Sequence, residues 1–170
     1  KEIAKKLKAK CCSVELDDRD GYTPGWKFNE WELKGVPLRI EIGPRDVEAE
    51  QLVLVRRDTN EKLTIKTKDM EKKVEQTLND IQDNLLKNAK EYLAKSIIEV
   101  HNFDDFVNAV KSRKMPKALF CGQTECENSI KDKAEGATCR CIPFEQKPAK
   151  GNCVHCDSEA KYWALFGKGY

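Results

Sequence analysis

Long apolar runs are missing from this chain. No stretch of its 170 residues approaches the eighteen or more consecutive apolar positions of a membrane-spanning helix, so no membrane partner is expected. Net charge is nearly missing too: 31 lysines and arginines stand against 29 acids, and the resulting +2 is too small to argue by itself for nucleic acid. There is no glycine-rich phosphate loop and no nucleophile–base motif, which excludes a self-contained catalytic centre of either kind. There is no internal repeat or low-complexity segment, which excludes a solenoid. The chain opens Lys1-Glu2-Ile3, without an initiator Met and without the apolar core of a secretory signal. The first absence suggests a fragment of something longer; the second favours reduced thiols and a cytoplasmic location over a disulfide framework.

Cysteine, in contrast, is abundant and clustered. Six of eight fall in the last fifty residues, as Cys121-x4-Cys126, Cys139-x-Cys141 and Cys153-x2-Cys156. Each pair can supply two thiolates from one tight turn, and two turns close a tetrahedron around zinc. The spacing therefore marks a small C-terminal module that needs metal to fold. A redox role for Cys153 and Cys156 is disfavoured, because no strand–Cys-x-x-Cys–helix context surrounds them. Cys11 and Cys12 adjoin an expected strand and read as small buried hydrophobes, and His101 as a surface or helix-capping residue.

The hydrophobic periodicities outline the elements. Residues 2–10 read as a basic helix with Ile3, Ala4 and Leu7 on one side, and Ser13–Leu16 alternate as a half-buried strand does. Thr23-Pro24 starts a helix that runs to about Lys34, with Gly35 as the residue after its cap. Val36–Ile42 is a strand, Leu52–Val55 a doubly covered strand, and Asp58-Thr59-Asn60 a turn leading into a hairpin partner at Lys62–Ile65. One helical stripe, Met70, Val74, Leu78, Ile81, Leu85, Ala89 and Leu93, spans Asp69 to about Val100 and is expected to pack on the sheet rather than form a coiled coil. A second helix is expected over Phe103 to about Lys111, followed by short strands at 118–120, 141–144 and 162–166. This order predicts an α/β fold with a mixed sheet flanked by helices over residues 1–100, its first strand–helix–strand unit crossing right-handedly. A small α+β module should follow over 101–170.

One segment is chemically unusual. Pro24–Lys34 carries Trp26, Phe28 and Trp31 together with Glu30, Glu32 and two lysines. Phe28 and Glu32 lie one helical turn apart and share a face. An aromatic ring beside a carboxylate suits an unstacked base, the ring stacking and the carboxylate accepting from its edge. Arg39 on the next strand and Arg45 in the turn beyond it can reach phosphate or guanine edges. The plainer reading makes Trp26 and Trp31 core, Phe28 half-buried and the charges a solvated face.

The run from Asp20 to Asp46, DGYTPGWKFNEWELKGVPLRIEIGPRD, closely resembles the anticodon-binding domain of prolyl-tRNA synthetases of the archaeal and eukaryotic type, class II enzymes. Arg56-Arg57-Asp58 and the aromatic ending Lys161–Tyr170 are similar to that family as well, so the resemblance covers essentially the whole chain. It implies that Phe28 stacks on a base of the proline anticodon, that Glu32 accepts from a guanine edge, and that Arg39 and Arg45 contact bases or backbone. Arg45 stands where related sequences often have Lys, so its geometry is open. The resemblance further implies a proline–tRNA ligase whose catalytic domain, with its ATP, magnesium and proline sites, lies outside this sequence. This fragment alone should be inactive. The expected partners are proline tRNA, the protein's own catalytic domain and, through it, a second copy as a homodimer. Tyr170 matches a tail residue that folds back toward the active site.

The family's metal pattern maps onto Cys121, Cys126, Cys153 and Cys156 as ligands of a structural zinc. Two departures stay open: His155, inside the last pair, could replace Cys156, and the Cys139–Cys141 pair could compete. The competing class is a non-catalytic zinc-containing module that binds protein or other RNA.

Overall fold

Thr23, Pro24 and Gly35 punctuate the chain where the sequence requires it. In the computed structural model, which describes residues 1–10 and 13–169, helix α2 spans Pro24–Leu33, with Thr23 Oγ1 accepting from the Trp26 N–H and Pro24 at its first position. Gly35 adopts φ +87°, a left-handed conformation that a side chain disfavours, and ends it. Cys11, Cys12 and Tyr170 lie outside the described residues. The chain divides into two compact units, Lys1–Asn88 and Ala89–Tyr170, the division falling inside one long helix.

The first unit contains α1 (Glu2–Lys8), α2, β1 (Leu38–Glu41), α3 (Pro44–Glu48), β2 (Gln51–Arg56), β3 (Lys62–Lys66) and the first part of α4 (Met70–Ser96). Its three strands form a sheet in the order β1-β2-β3, both pairings antiparallel. Leu52 and Leu54 of the central strand are fully buried and pack with Leu7, Met70 and Val74. Ser13–Leu16 is not a strand: Val14 packs on this core, but the segment joins no ladder, so the expected right-handed crossover does not form. Apolar alternation reports a buried face; it does not supply a hydrogen-bonding partner. Helix α3 was not expected. Pro44 at its first position and Asp46, whose carboxylate accepts from the Gly43 N–H at 2.8 Å, are its start signals.

Helix α4 ends at Ser96, a few residues short of the expected end near Val100. Met70, Val74 and Ile81 are buried, while Leu85, Leu86 and Leu93 are exposed. Packing on the sheet therefore holds only for the first half of the stripe. Ile97–Glu99 leaves the helix as β4, because β-branched Ile97 and Ile98 find a parallel partner in β5.

The second unit adds α5 (Phe103–Lys111), β5 (Met115–Phe120), α6 (Thr124–Lys133), β6 (Ala137–Cys141) and β7 (Tyr162–Lys168). Its sheet is mixed, in the order β4-β5-β7-β6, with β4 and β5 parallel and the rest antiparallel. Phe106, buried on α5, meets Phe166 edge-on at 5.1 Å, and Phe120 meets Phe166 at 5.3 Å. These rings centre the core. The strand expected at 141–144 instead covers Ala137–Cys141, leaving Ile142 and Phe144 exposed beyond it. The α/β class with helix-flanked sheets is the one expected; no helix is long and apolar enough to cross a membrane among the described residues.

A half-buried ion pair ties the β2–β3 turn to α4. Arg56 Nε and Nη2 donate to Asp58 at 3.0 and 2.7 Å, and Asn84 Nδ2 donates to the same carboxylate at 2.8 Å. The Arg56 hydrogen bonds are the main cause of an Asp58 pKa lowered to about 2. That folded value lies below the unfolded carboxylate's, so the stabilisation is full above about pH 4 and is lost as pH falls toward 2. Asp58→Ala leaves these half-buried donors unpaired and should cost about 1–3 kcal/mol in a denaturant titration, with weaker acid dependence than the parent chain.

Candidate nucleic-acid interface and metal centre

The tight α2–β1 connection carries Arg39 back alongside α2. Its guanidinium lies over the Phe28 ring, 4.1 Å from the centroid, and Nη1 donates to Glu32 Oε1. On its other side Nε donates to Glu41 Oε1 at 2.9 Å, and Lys62 Nζ donates to Glu41 Oε2 at 3.3 Å. The structure thus brings Phe28, Glu32 and Arg39 into one cluster. Arg45, exposed on α3, shares no hydrogen bond or ion pair with them among the described residues. A planar guanidinium held on a ring is itself a stacking surface for a base. Glu32, 37% exposed against 19% for Arg39, keeps lone pairs free to accept from a base edge. Glu41 and Lys62 were missed. Arg39 and Glu41 share a strand face by their two-residue spacing, a signal the sequence carried; Lys62 reaches Glu41 only because β3 folds back.

A second network explains how α2 is presented. Arg19 Nε and Nη2 donate to Asp17 at 2.9 and 2.7 Å, and Nη2 also donates to Glu30 Oε2 at 2.5 Å. Trp31 Nε1 donates to Asp17 at 2.9 Å. These bonds, the Arg19 pair foremost, hold the Asp17 carboxyl well below the usual carboxylate range, and Arg19 likewise lowers Glu30. Tyr22 and Trp26 stack at 4.2 Å, with Arg19 5.1 Å from the tyrosine ring. The plain core reading therefore fails for Trp26, which is 45% exposed, while Trp31 is half-buried and hydrogen-bonded. The loop before α2 is pinned from one side of the helix, which leaves the Phe28–Glu32 face to Arg39.

In the second unit, Cys121 follows β5 directly and Cys126 sits in the first turn of α6. Gly122 between them has φ +78°, and a Cβ there would meet Tyr162 Cε2 at 2.9 Å. The other pair arrives on the 142–161 loop. Val154 N–H donates to the Leu119 carbonyl at 2.9 Å, docking this knuckle on the end of β5, and Cys153 N–H donates to the Ser158 carbonyl at 2.8 Å. The Sγ atoms of Cys121, Cys126, Cys153 and Cys156 all lie within 4.8 Å of one another. Two of the separations are 3.7 Å (Cys126–Cys153) and 3.6 Å (Cys156–Cys121). A tetrahedron with metal–sulfur bonds of about 2.3 Å has edges of about 3.8 Å, so the set fits a tetrahedral thiophilic cation. Burial pushes the Cys126 and Cys121 thiols up, whereas Ser158 brings Cys156 down to about 6. A cation between the sulfurs would offset the burial. Cys139 and Cys141 stand on β6 outside this group. His155 lies beside it, Nδ1 3.6 Å from Cys126 Sγ, and its pKa is lowered by burial and by Lys133. The sequence did not disclose Ser129, Lys133 and Ser158 as neighbours of the cluster.

Residues 1–77 match the family model of the anticodon binding domain, and residues 103–170 match that of the prolyl-tRNA synthetase C-terminal domain. The chain belongs to the prolyl-tRNA synthetase family, of which it carries these two domains. It is 46% identical to the proline–tRNA ligase of Alkaliphilus oremlandii over 99% of its own length and 35% of the relative's. It is 42% identical to the bifunctional glutamate/proline–tRNA ligase of Drosophila melanogaster, covering 100% of this chain and 11% of that protein. Among solved structures, prolyl-tRNA synthetase from Cryptosporidium parvum, complexed with L-proline and AMP, superposes with a TM-score of 0.91 at 39% identity, over 99% of this chain and 36% of that one. The chain thus spans about a third or less of the relatives it matches.

Gly122→Ala tests how tightly the first knuckle is drawn. Forcing a side chain into the left-handed conformation costs about 1–2 kcal/mol before the Tyr162 contact is counted. The variant should unfold at lower denaturant and release metal sooner than the parent chain, as measured by fluorescence and by transfer to a chromogenic chelator.

Proposed function

We propose that this chain is the tRNA-recognition and C-terminal portion of a prolyl-tRNA synthetase, the ATP-dependent ligase that joins proline to its tRNA. The observation that carries the reading is the convergence of Phe28, Glu32 and Arg39 on one face of the first unit. In this reading Phe28 and the overlying Arg39 form the stacking platform for an anticodon base. Glu32 accepts from the N1–H and N2–H edge of a guanine, a pattern that no other base presents in full. Arg45 supplies a guanidinium to the backbone or to a second base. ATP, magnesium and proline belong to the part of the relatives that this chain does not span, so the fragment alone does not activate proline. The full protein works in the cytoplasm as a homodimer on proline tRNA.

The cysteine cluster, in the same reading, binds zinc. Cys121, Cys126, Cys153 and Cys156 are its ligands, and four thiolates leave no open position for water or substrate, so the metal supplies folding energy rather than chemistry. The geometric support is the pair of sulfur–sulfur separations close to a tetrahedral edge.

Two measurements test these assignments. Titration of the chain with proline tRNA, and with the same tRNA carrying replaced anticodon guanines, should show preference for the unaltered anticodon. Glu32→Ala should lose about 1–3 kcal/mol of binding and most of that preference. Equal affinity for both tRNAs, or an unchanged Glu32→Ala titration with the fold intact, rules out anticodon reading by this face and favours a non-catalytic interaction module. Elemental analysis of reduced, folded protein should find about one equivalent of zinc, and less than about half an equivalent argues against the four-thiolate site.

A further inference from the structure

His155 sits inside the Cys153-x2-Cys156 knuckle, where a histidine is an obvious candidate for a fourth ligand. Its surroundings assign it another task. Nδ1 lies 3.6 Å from Cys126 Sγ. Nε2, on the far edge of the ring, lies 3.3 Å from Lys133 Nζ and 3.2 Å from Ser129 Oγ. Lysine's ammonium carries donors only, so an Nε2 in hydrogen-bonding contact with it must accept. A neutral imidazole that accepts at Nε2 carries its proton on Nδ1. The serine hydroxyl can rotate to either role and does not oppose this arrangement. Phe103 meets the imidazole edge-to-face at 4.9 Å and fixes the ring plane. An Nδ1 that bears a proton has no lone pair in the plane to give a metal, and the separation suits an N–H donor against a sulfur acceptor.

We propose that His155 is a positioning residue and not a ligand: its Nδ1–H donates to the Cys126 sulfur of the metal-bound cluster, in a tautomer held by Lys133. This rests on the four-thiolate reading above. A dication bound by four thiolates carries a net charge of about −2, so a donor aimed at one sulfur and a cation behind it both stabilise the loaded site. Cys126 is buried on α6, so a donor that reaches its sulfur works away from bulk water. Lys133 and Ser129 both come from α6, the helix that carries Cys126, so the helix that supplies the ligand also orients its outer partner.

The 170-residue chain loaded with cobalt or zinc provides the test. His155→Phe keeps a ring against Phe103 and removes the donor. It should leave the cobalt ligand-field and thiolate charge-transfer bands in place while speeding metal transfer to a chelator by about 10-fold or more, the scale at which outer-shell partners act. Lys133→Met should move release in the same direction. In the zinc-loaded parent, nitrogen-15 NMR should show His155 with its proton on Nδ1, a measurement that requires no variant to fold. Ligand-field bands altered by His155→Phe, or a proton found on Nε2, overturn the inference by making His155 a ligand or turning its donor away. Cobalt uptake with release rates unchanged in both variants overturns it while leaving the four-thiolate site standing. A parent chain that takes up neither metal removes the site and the inference together.

Discussion

The second unit depends on one long-range insertion, the placement of β7 between β5 and β6. Tyr162–Leu165 pairs antiparallel with Lys117–Phe120, and the same strand pairs on its other edge with Ala137–Cys141. This pairing buries Trp163, Ala164 and Phe166, and it brings the loop before β7 to the end of β5, where the Val154–Leu119 hydrogen bond docks it. Cys121 leaves β5 at that same end. Two pairs of cysteines about thirty residues apart therefore meet through backbone pairing, and the sulfur cluster is a consequence of the sheet. A metal bound there would reinforce a closure that the strands already specify.

The first unit is organised by charge compensation around two arginines. Arg39 is held between Glu32 and Glu41, and Arg19 between Asp17 and Glu30, so α2 is tied to β1 on one face and to its preceding loop on another. A guanidinium fits this work better than an ammonium, because its planar fork bonds two carboxylates and still offers a flat face to Phe28 or to Tyr22 and Trp26. The cost of ordering these side chains falls in the free protein, which leaves less to be ordered when a ligand arrives. Phe28, Glu32 and Arg39 are thus held together by the fold itself, while Arg45 is not.

Much of this was legible in the residues. Helix α2 was readable to within a residue at each end from Thr23, Pro24 and Gly35, because caps and left-handed glycines act locally. Helix α5 formed over the expected span, Phe103–Lys111, with Phe106 and Val110 buried. Ser13–Leu16, Ile97–Glu99 and Ile142–Phe144 were misread, and all three are short apolar segments whose state is set by whether a strand lies alongside. Helices α3 and α6 were overlooked because they are short and polar, with little apolar periodicity to announce them.

The sites divide along the same line. Residue types and spacing alone determined that the C-terminal region holds paired thiolates and that Phe28 and Glu32 share a helix face, since a turn of helix or a knuckle fixes such neighbours within a few residues. Only the tertiary structure decided that Cys139 and Cys141 stay apart from the cluster while Cys156 joins it, that Arg39 covers Phe28 while Arg45 stands off, and that His155 turns one nitrogen to Cys126 and the other to Lys133. Those choices depend on strand order and on which loop returns to which edge. They are made by contacts between residues tens of positions apart, for which local sequence carries no rule.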